Sequence, residues 1–250
     1  MSSHKPLFIA ISGKKGSGKD EFAKSLMGYL TVDFNIKEVE ITHFADPLKE
    51  MCVQLFGLDR RLVYGSNADK ERLTTVLWDG FPESVCKKYS IKKEVSSEPL
   101  LKIAAQLFTN DEKMDVPRTG PMTHRELLQV MGTDIFRERV YNNIWAEYPF
   151  KQLWYTGEPC DVIIPTDVVM IADCRFPNEV TETLKNGGLV VRINRDTGHT
   201  DAHASETALN DYDWNQDRHF VIDNNGTLQE FREKAFRMAA TIAANYLEKK

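Results

Sequence analysis

The sequence has few cysteines and no long apolar run. Its 250 residues include four cysteines, none of them in a C-x-x-C pair. This spacing predicts neither a disulfide framework nor a zinc knuckle and is typical of reduced thiols in the cytoplasm. No run approaches the roughly 20 apolar residues needed to cross a bilayer, and the first, Leu7 to Ile11, is too short for a signal peptide. We therefore expect a cytoplasmic protein that does not contact a membrane.

A basic excess is also missing. The chain has 32 Lys and Arg against 37 Asp and Glu, which gives a net charge of −5. Bulk attraction to a nucleic acid polymer needs the opposite balance, so we expect no such partner. Any anionic ligand must then be met by locally clustered cations. The chain is 42% hydrophobic and shows no repeat or low-complexity tract, which is typical of an enzyme-like globular domain.

Strand and helix patterns alternate along the chain. A strand, a glycine loop and an amphipathic helix come first, and a second strand and helix follow, with Asp46 as N-cap, Pro47 as first helical residue and Gly57 as the stop. Capping boxes at Thr123 and Thr227 predict two later helices, the first running to about residue 139. Strands are predicted at 7–12, 39–44, 168–172, 189–193 and 220–222. Such alternation predicts an α/β fold with a mostly parallel five-stranded sheet flanked by helices.

One segment interrupts this pattern. Between residues 58 and 122 charges crowd together, glycines and prolines recur, and no clean period appears. We interpret 58–122 as a largely helical insertion that forms part of the acceptor side of the site, and 1–57 with 123–250 as the core.

The glycine loop GKKGSGKD, residues 13–20, carries the strongest functional signal. It fits G-x-x-x-x-G-K and lies between an apolar strand and a helix, the context that a Walker A motif requires. Its glycines would let the N–H groups of Lys15 to Lys19 converge on phosphate oxygens, and Lys19 would reach the β and γ phosphates. A tight turn without a ligand is the alternative, but such a turn does not need the lysine.

Asp20 stands where Ser or Thr usually binds Mg²⁺. A carboxylate can bind Mg²⁺ or one of its waters, so we expect Mg²⁺ dependence; the alternative is that Asp20 only favours the positive helix end. Asp173 ends a buried strand in the Walker B position, where it could order the metal or face the acceptor.

The helix that begins at Thr123 has a second face with binding potential. At 100° per residue, Arg125, Gln129 and Gly132 share one stripe, while Leu127, Leu128, Met131 and Ile135 form another. Arg125 suits a phosphate, Gln129 can bond a base edge, and Gly132 permits a planar ring to approach. A solvated polar face is the alternative, and Glu126 is assigned to capping.

Several segments together resemble one family. They are GKKGSGKD, FADPLKEM, RELLQVMGTD, Trp145, ADCRFPNE and the late HASE…VIDNNGTLQEF. In order and spacing they are similar to the deoxynucleoside monophosphate kinases of tailed bacteriophages, and the likeness spans nearly the whole chain. The family shares the GKD form of the loop. Residues 58–122 match it least.

The resemblance implies a P-loop kinase that transfers a phosphoryl group from ATP to a deoxynucleoside monophosphate (dNMP), with Mg²⁺ as cofactor. Catalytic roles are implied for Lys19, Asp173, Arg175 and Arg195. ATP contacts are implied for Gly13, Lys15, Gly16, Ser17, Gly18, Lys19, Asp20 and Glu21. Contacts to the dNMP are implied for Lys15, Asp46, Lys70, Arg72, Arg125, Gln129, Gly132, Thr133, Trp145, Asp173, Arg175 and Glu179.

Alternatives stay open at several of these positions. Trp145 could belong to the core, Glu179 could be a first-turn helix charge, and Asp46 could be only an N-cap. Lys70 and Arg72 compete for one role on the acceptor. His199 and His203 have helical metal spacing but no third ligand, so a loop is favoured over zinc.

Two rival functions also remain. One is a P-loop kinase for another phosphorylated small molecule, such as dephospho-coenzyme A or phosphomevalonate. The other is an ATP-binding switch without catalysis. A homodimer is implied only by the resemblance, and the sequence leaves open which bases are accepted and whether ribose is excluded.

Overall fold

The computed structural model describes residues 6–88, 120–152, 166–198 and 207–247, and the chain divides into two units. The first unit comprises Met1–Asp46 and Asn143–Lys250, and the second comprises Pro47–Asn142. The second unit therefore takes in more of the chain than the predicted insertion at 58–122.

The described elements are as follows. The strands are β1 (Leu7–Ser12), β2 (Val39–Thr42), β3 (Leu73–Leu77), β4 (Pro121–Thr123), β5 (Val168–Cys174), β6 (Leu189–Asn194) and β7 (His219–Asp223). The α-helices are α1 (Lys19–Val32), α2 (Asp46–Phe56), α3 (Arg60–Tyr64), α4 (Asn67–Lys70), α5 (Glu83–Lys88), α6 (His124–Gln129), α7 (Ile144–Gln152), α8 (Pro177–Lys185) and α9 (Leu228–Ile242). A 3₁₀ turn covers Trp78–Gly80, and π-helical turns cover Val130–Val140 and Ala243–Leu247.

The first unit contains a five-stranded parallel sheet with the strand order β2-β5-β1-β6-β7. Leu7 lies opposite Val168, and Ile9 lies opposite Leu189. The predicted α/β fold with a five-stranded sheet is therefore confirmed. Because all the strands run the same way, their carboxyl ends meet at one edge, and the segment after the central β1 lies between the ends of β5 and β6.

The two faces of the sheet have separate cores, since successive side chains along a strand point to opposite faces. On one face Ile9 and Ile11 belong to a cluster with the apolar sides of α1 and α9, where the rings of Phe22 and Phe231 lie 5.7 Å apart. On the other face Phe8 belongs to a cluster with residues of α7 and α8. These two cores fix the position of the glycine loop at the edge of the sheet.

The second unit contains a two-stranded antiparallel sheet, β3-β4, with α2 from Pro47 onwards, α3 to α6 and the π-helical segment. The predicted helix from Thr123 to residue 139 is partly wrong, because α-helix ends at Gln129 and π-helix continues to Val140. The wider i→i+5 turn rotates later residues off the 100° stripe. Leu128 and Ile135 are half-buried. The buried positions of this segment are His124, Leu127, Val130, Met131, Gly132 and Asp134.

Several further boundaries differ from prediction. β5 runs to Cys174 instead of residue 172, β6 is one residue longer, and β7 is one residue longer at each end. β2 ends at Thr42 instead of residue 44, and α2 begins at Asp46 instead of after it. The Asp46 side chain accepts the N–H of His43 at 3.0 Å, which stabilises the turn that precedes the helix. Within the described ranges, no helix is long and apolar enough to span a membrane.

Candidate functional site

The loop between β1 and α1 is a turn built on glycines. Gly16 and Gly18 have φ values of 77° and 97°, a region that L side chains rarely adopt, and the Ser17 N–H donates to the Lys14 carbonyl at 3.1 Å. A β-carbon on Gly18 would also lie 2.6 Å from Asn224 Nδ2. The loop therefore needs glycine for both its backbone conformation and its packing.

Lys19 folds back over this loop. Its Nζ donates to the carbonyl oxygens of Gly13 at 2.5 Å and Lys14 at 2.9 Å, and it is the first residue of α1. The ammonium group therefore lies at the N-terminus of a 14-residue helix, where partial positive charge from unpaired N–H groups favours anions. The combination of a bent loop, a helix end and a lysine is chemically suited to bind an anion.

Ser17 and Asn224 lie behind the loop. Ser17 is fully buried, and its Oγ has no hydrogen-bond partner in the part of the chain that the structure describes. Asn224, directly after β7, is also buried, and its Nδ2 donates to the Ser17 carbonyl at 2.8 Å. No role was predicted for Asn224, although it lies in the VIDNNGTLQEF segment that carries the family resemblance and directly follows a predicted strand.

A cavity of about 390 Å³ lies beside the loop at the ends of β6 and β7. Its lining residues are Lys14, Arg192, Ile193, Asn194, Arg195, Asp196, Asn210 and Asn225. Three cations and three asparagine amides thus face one space. The Asn225 backbone and side-chain N–H groups also hold the pKa of Asp223 below its ordinary range.

The two arginines of this cavity differ in how they are held. Arg192 donates from Nη1 to Ser12 Oγ at 3.0 Å, and its guanidinium lies 5.2 Å from the centre of the Trp214 ring. Arg195 is exposed. Arg192 is therefore fixed against the sheet, whereas Arg195 is open to solvent at the cavity.

Asp173, at the end of β5, binds the backbone of the turn that follows β2. Its two carboxylate oxygens accept the N–H groups of Phe44 at 2.6 Å and Ala45 at 3.1 Å. These bonds hold the turn that follows β2. The Walker B position is thus occupied by a carboxylate whose two oxygens both receive backbone donors.

Replacing Asp173 with alanine is expected to lower the free energy of unfolding by about 2 kcal/mol, because two backbone N–H groups lose a charged acceptor. Urea denaturation followed by circular dichroism measures the loss. Asp33→Ala, at an exposed carboxylate after α1, is the control and should stay within about 0.5 kcal/mol of the parent chain. An Asp173→Ala chain of unchanged stability but no activity would show that Asp173 acts on the ligand or metal instead.

Arg175 and Glu179 share the entrance to α8. One Glu179 oxygen accepts the backbone N–H of Arg175 at 2.6 Å and that of Phe176 at 3.1 Å. Glu179 is almost fully buried. The carboxylate therefore accepts backbone N–H groups at the start of α8, in agreement with the alternative that Glu179 is a first-turn helix charge. It also fixes the backbone from which the Arg175 side chain extends.

In the second unit, Arg125 meets the segment that contains Lys70 and Arg72. Its Nε donates to Glu71 at 2.5 Å and its Nη2 donates to Asn67 at 3.0 Å. Arg72 is exposed and Lys70 is half-buried. Arg125, Lys70 and Arg72, three residues predicted to contact the dNMP, therefore lie in one region of this unit.

The remaining predictions on this helix are placed as follows. Thr123 and Glu126 form the predicted capping box. Gln129 and Thr133 are half-buried. A β-carbon on Gly132 would lie 2.5 Å from Leu48 Cδ2. Packing against Leu48 therefore accounts for this glycine, and the predicted approach of a planar ring is not needed to explain it.

Trp145, on α7 of the first unit, is 6% exposed. This burial agrees with the alternative that Trp145 belongs to the core.

Asp46 lies near His43, with Oδ2 3.1 Å from Nδ1. His199 and His203 lie outside the described residues.

Asp20 is exposed on the first turn of α1, next to Glu21, which accepts two hydrogen bonds from Arg232. No group of three or more metal-binding side chains occurs among the residues described here. Mg²⁺ often keeps several waters and takes one or two carboxylates together with phosphates. A single exposed carboxylate beside an anion site fits that mode of binding.

Comparison with known proteins decides the family. Residues 7–235 match the sequence pattern of the deoxynucleotide monophosphate kinases. The chain belongs to this family. It is 29% identical over 238 residues to a protein of Acanthamoeba polyphaga mimivirus that carries the provisional name deoxynucleotide monophosphate kinase, covering 90% of this chain and 92% of the relative. It is 25% identical over 182 residues to the deoxynucleoside-5'-monophosphate kinase of Escherichia phage T5, covering 69% and 70%.

Membership of the family confirms the resemblance and the kinase activity that it implied. The chain is a phosphotransferase that acts on nucleotide substrates with ATP as donor. The anion site of Gly13 to Lys19 and the cation-lined cavity beside it are the features of this structure that suit such substrates.

Proposed function

We propose that the loop of residues 13–20 holds the triphosphate of ATP and that its γ-phosphoryl group passes to a deoxynucleoside monophosphate. This proposal rests on the position of the Lys19 side chain, which lies over the loop. Its ammonium group now pairs with two carbonyl oxygens, which are weaker partners than a phosphate. A bound triphosphate can therefore draw it away and use its charge.

The donor occupies the loop and the adjoining cavity. Phosphates lie on the N–H groups of Lys15 to Lys19, and the rest of the nucleotide enters the space lined by Asn194 and Asn225. Arg195, exposed at this cavity, is free of the strand contacts that hold Arg192 and can approach the transferred group. Arg175 extends from the neighbouring strand end and supplies a further cation.

The acceptor contacts come from the resemblance. Arg125 has a guanidinium suited to a phosphate, and its present partner Glu71 is an exposed carboxylate that a phosphate can replace. Lys70 and Arg72, in the same region, add charge. Gln129 and Thr133 offer hydrogen bonds to the base and sugar. Glu179 and Asp173 serve chiefly to fix backbone near Arg175 and Asp46.

Asp20 is the residue that would hold Mg²⁺, directly or through water. When bound, the ion neutralises charge on the β and γ phosphates. No strong general base is required, because the acceptor phosphate is already ionised at neutral pH. One of its oxygens attacks the γ-phosphorus, the bond to the β–γ bridging oxygen breaks, and ADP leaves. Lys19 and the arginines stabilise the charge spread over the transferred group.

A coupled assay for ADP tests the proposal. The chain is supplied with ATP and Mg²⁺ and with each of the four dNMPs, the matching ribonucleotides, dephospho-coenzyme A or phosphomevalonate. We expect ADP with at least one dNMP and little without an acceptor. ADP formed only with dephospho-coenzyme A or phosphomevalonate would reassign the substrate, and ADP release that ignores all acceptors would favour an ATP-dependent switch.

Two further parts of the proposal are the setting and the assembly. We place the reaction in the cytoplasm of the host cell, where DNA precursors are consumed, and the relative from a bacteriophage supports this setting. The family likeness also supports a homodimer.

A further inference from the structure

We propose that Asn224 is a positioning residue that keeps the phosphate loop in its anion-binding shape. The inference rests on the proposed role of residues 13–20 in holding the phosphates of ATP. It concerns a residue outside the loop, in the turn after β7, that makes no predicted contact with either nucleotide.

The first observation is how firmly Asn224 is held. It is 6% exposed, while its neighbours Asp223 and Asn225 are exposed. Its backbone N–H donates to the carbonyl oxygen of Asn194, at the end of β6, at 2.7 Å. The residue is therefore tied to the sheet, and its side chain approaches the loop from a fixed base.

The Asn224 side chain contacts the backbone of the loop. Asn224 Nδ2 donates to the Ser17 carbonyl oxygen at 2.8 Å, in a buried hydrogen bond between residues 207 positions apart. The Ser17–Gly18 peptide is trans, so its carbonyl oxygen and its N–H point in opposite directions. By holding the carbonyl on its own side, Asn224 turns the Gly18 N–H towards the opposite side, where the phosphates would lie.

The third observation is how close the amide approaches. A β-carbon on Gly18 would lie 2.6 Å from Asn224 Nδ2 and 3.2 Å from the Phe231 ring. The amide and the ring thus fill the space directly behind Gly18. Without this support the Ser17–Gly18 peptide could turn over. Its carbonyl oxygen would then face the phosphates and repel them.

Binding of inorganic tripolyphosphate separates this role from a contact with the nucleoside. Asn224→Ala removes the amide, and Asn224→Leu keeps a similar volume without a donor. We expect both variants to bind tripolyphosphate and ATP about tenfold more weakly, by the same factor for both ligands, with an unchanged KM for the dNMP. Isothermal titration calorimetry and initial rates measure these constants.

Asn186 provides the matched control. Its Nδ2 also donates to a backbone carbonyl, that of Glu182 at 2.9 Å, but at the end of α8. Asn186→Ala should leave both affinities unchanged, and thermal melting compares the stability of all three variants. A wild-type affinity for tripolyphosphate in the Asn224→Leu chain would overturn the inference, as would weaker binding of ATP alone.

A measurement on the wild-type chain does not depend on any variant. Amide hydrogen exchange at Gly18 should slow when tripolyphosphate binds, and unchanged exchange there would also overturn the inference. If the wild-type chain binds neither ATP nor tripolyphosphate, the proposed role of the loop fails. If it binds both and the Asn224 variants bind equally well, only the role of Asn224 fails.

Discussion

Replacing Lys19 with alanine is expected to lower kcat about 100-fold or more at saturating ATP and dNMP. The reason is electrostatic, because the ammonium group lies at the helix N-terminus, over the loop that is proposed to hold the phosphates of ATP. Single donors to a developing charge commonly contribute at least this much to the rate. Initial rates of ADP formation with a saturating dNMP measure the effect.

Lys24→Ala is the control, since Lys24 lies on the exposed side of the same helix, and its kcat should stay within about twofold of the parent value. Circular dichroism checks that both chains are folded. A folded Lys19→Ala chain with parent turnover would mean that the reaction takes place elsewhere on the chain.

Replacing Gly18 with alanine is expected to destabilise the chain by about 3 kcal/mol and to raise the KM for ATP more than tenfold. A β-carbon at φ 97° is strained, and this one also collides with Asn224 and approaches Phe231. Relief of the collision requires the loop to move, which misplaces its N–H groups. Chemical denaturation measures the stability, and initial rates give the KM.

Gly28→Ala, in the helix that Gly18 precedes, is the matched control. A methyl group at Gly28 meets no atom within 4 Å, and alanine favours helix over glycine. This variant should be more stable than the parent chain by up to about 1 kcal/mol, with an unchanged KM for ATP. Equal stability of the two variants would show that Gly18 is not held in the left-handed conformation.

The elements that could be predicted are those set by short-range rules. The strand, loop and helix of residues 7–32 follow from an apolar run, glycines and helical spacing. The capping boxes at Thr123 and Thr227 are likewise local, since each joins residues three positions apart. The phosphate-binding chemistry of the loop could be predicted because its glycines and its lysine are neighbours in the chain.

Other features of the site depend on residues far apart in sequence. The carboxylate of Asp173 could be placed at the end of a strand, but not its bonds to the amides of Phe44 and Ala45, which lie 129 and 128 positions away. The pairing of Arg125 with Glu71 spans 54 positions. The change to π-helix at Val130 also escaped prediction, because a 100° stripe assumes an unbroken α-helix.

The sequence by itself determined that this chain is a P-loop kinase of the deoxynucleotide family, because the loop motif joins neighbouring residues and the other segments follow it in the family's order and spacing. Only the tertiary structure decided which polar groups serve the backbone and which are left for ligands. That division depends on which buried N–H and carbonyl groups need partners, and those groups come together only when the strand ends meet at one edge of the sheet. Asn224 shows this most clearly, since its proposed role depends on the Ser17 carbonyl group, which only the fold brings next to it.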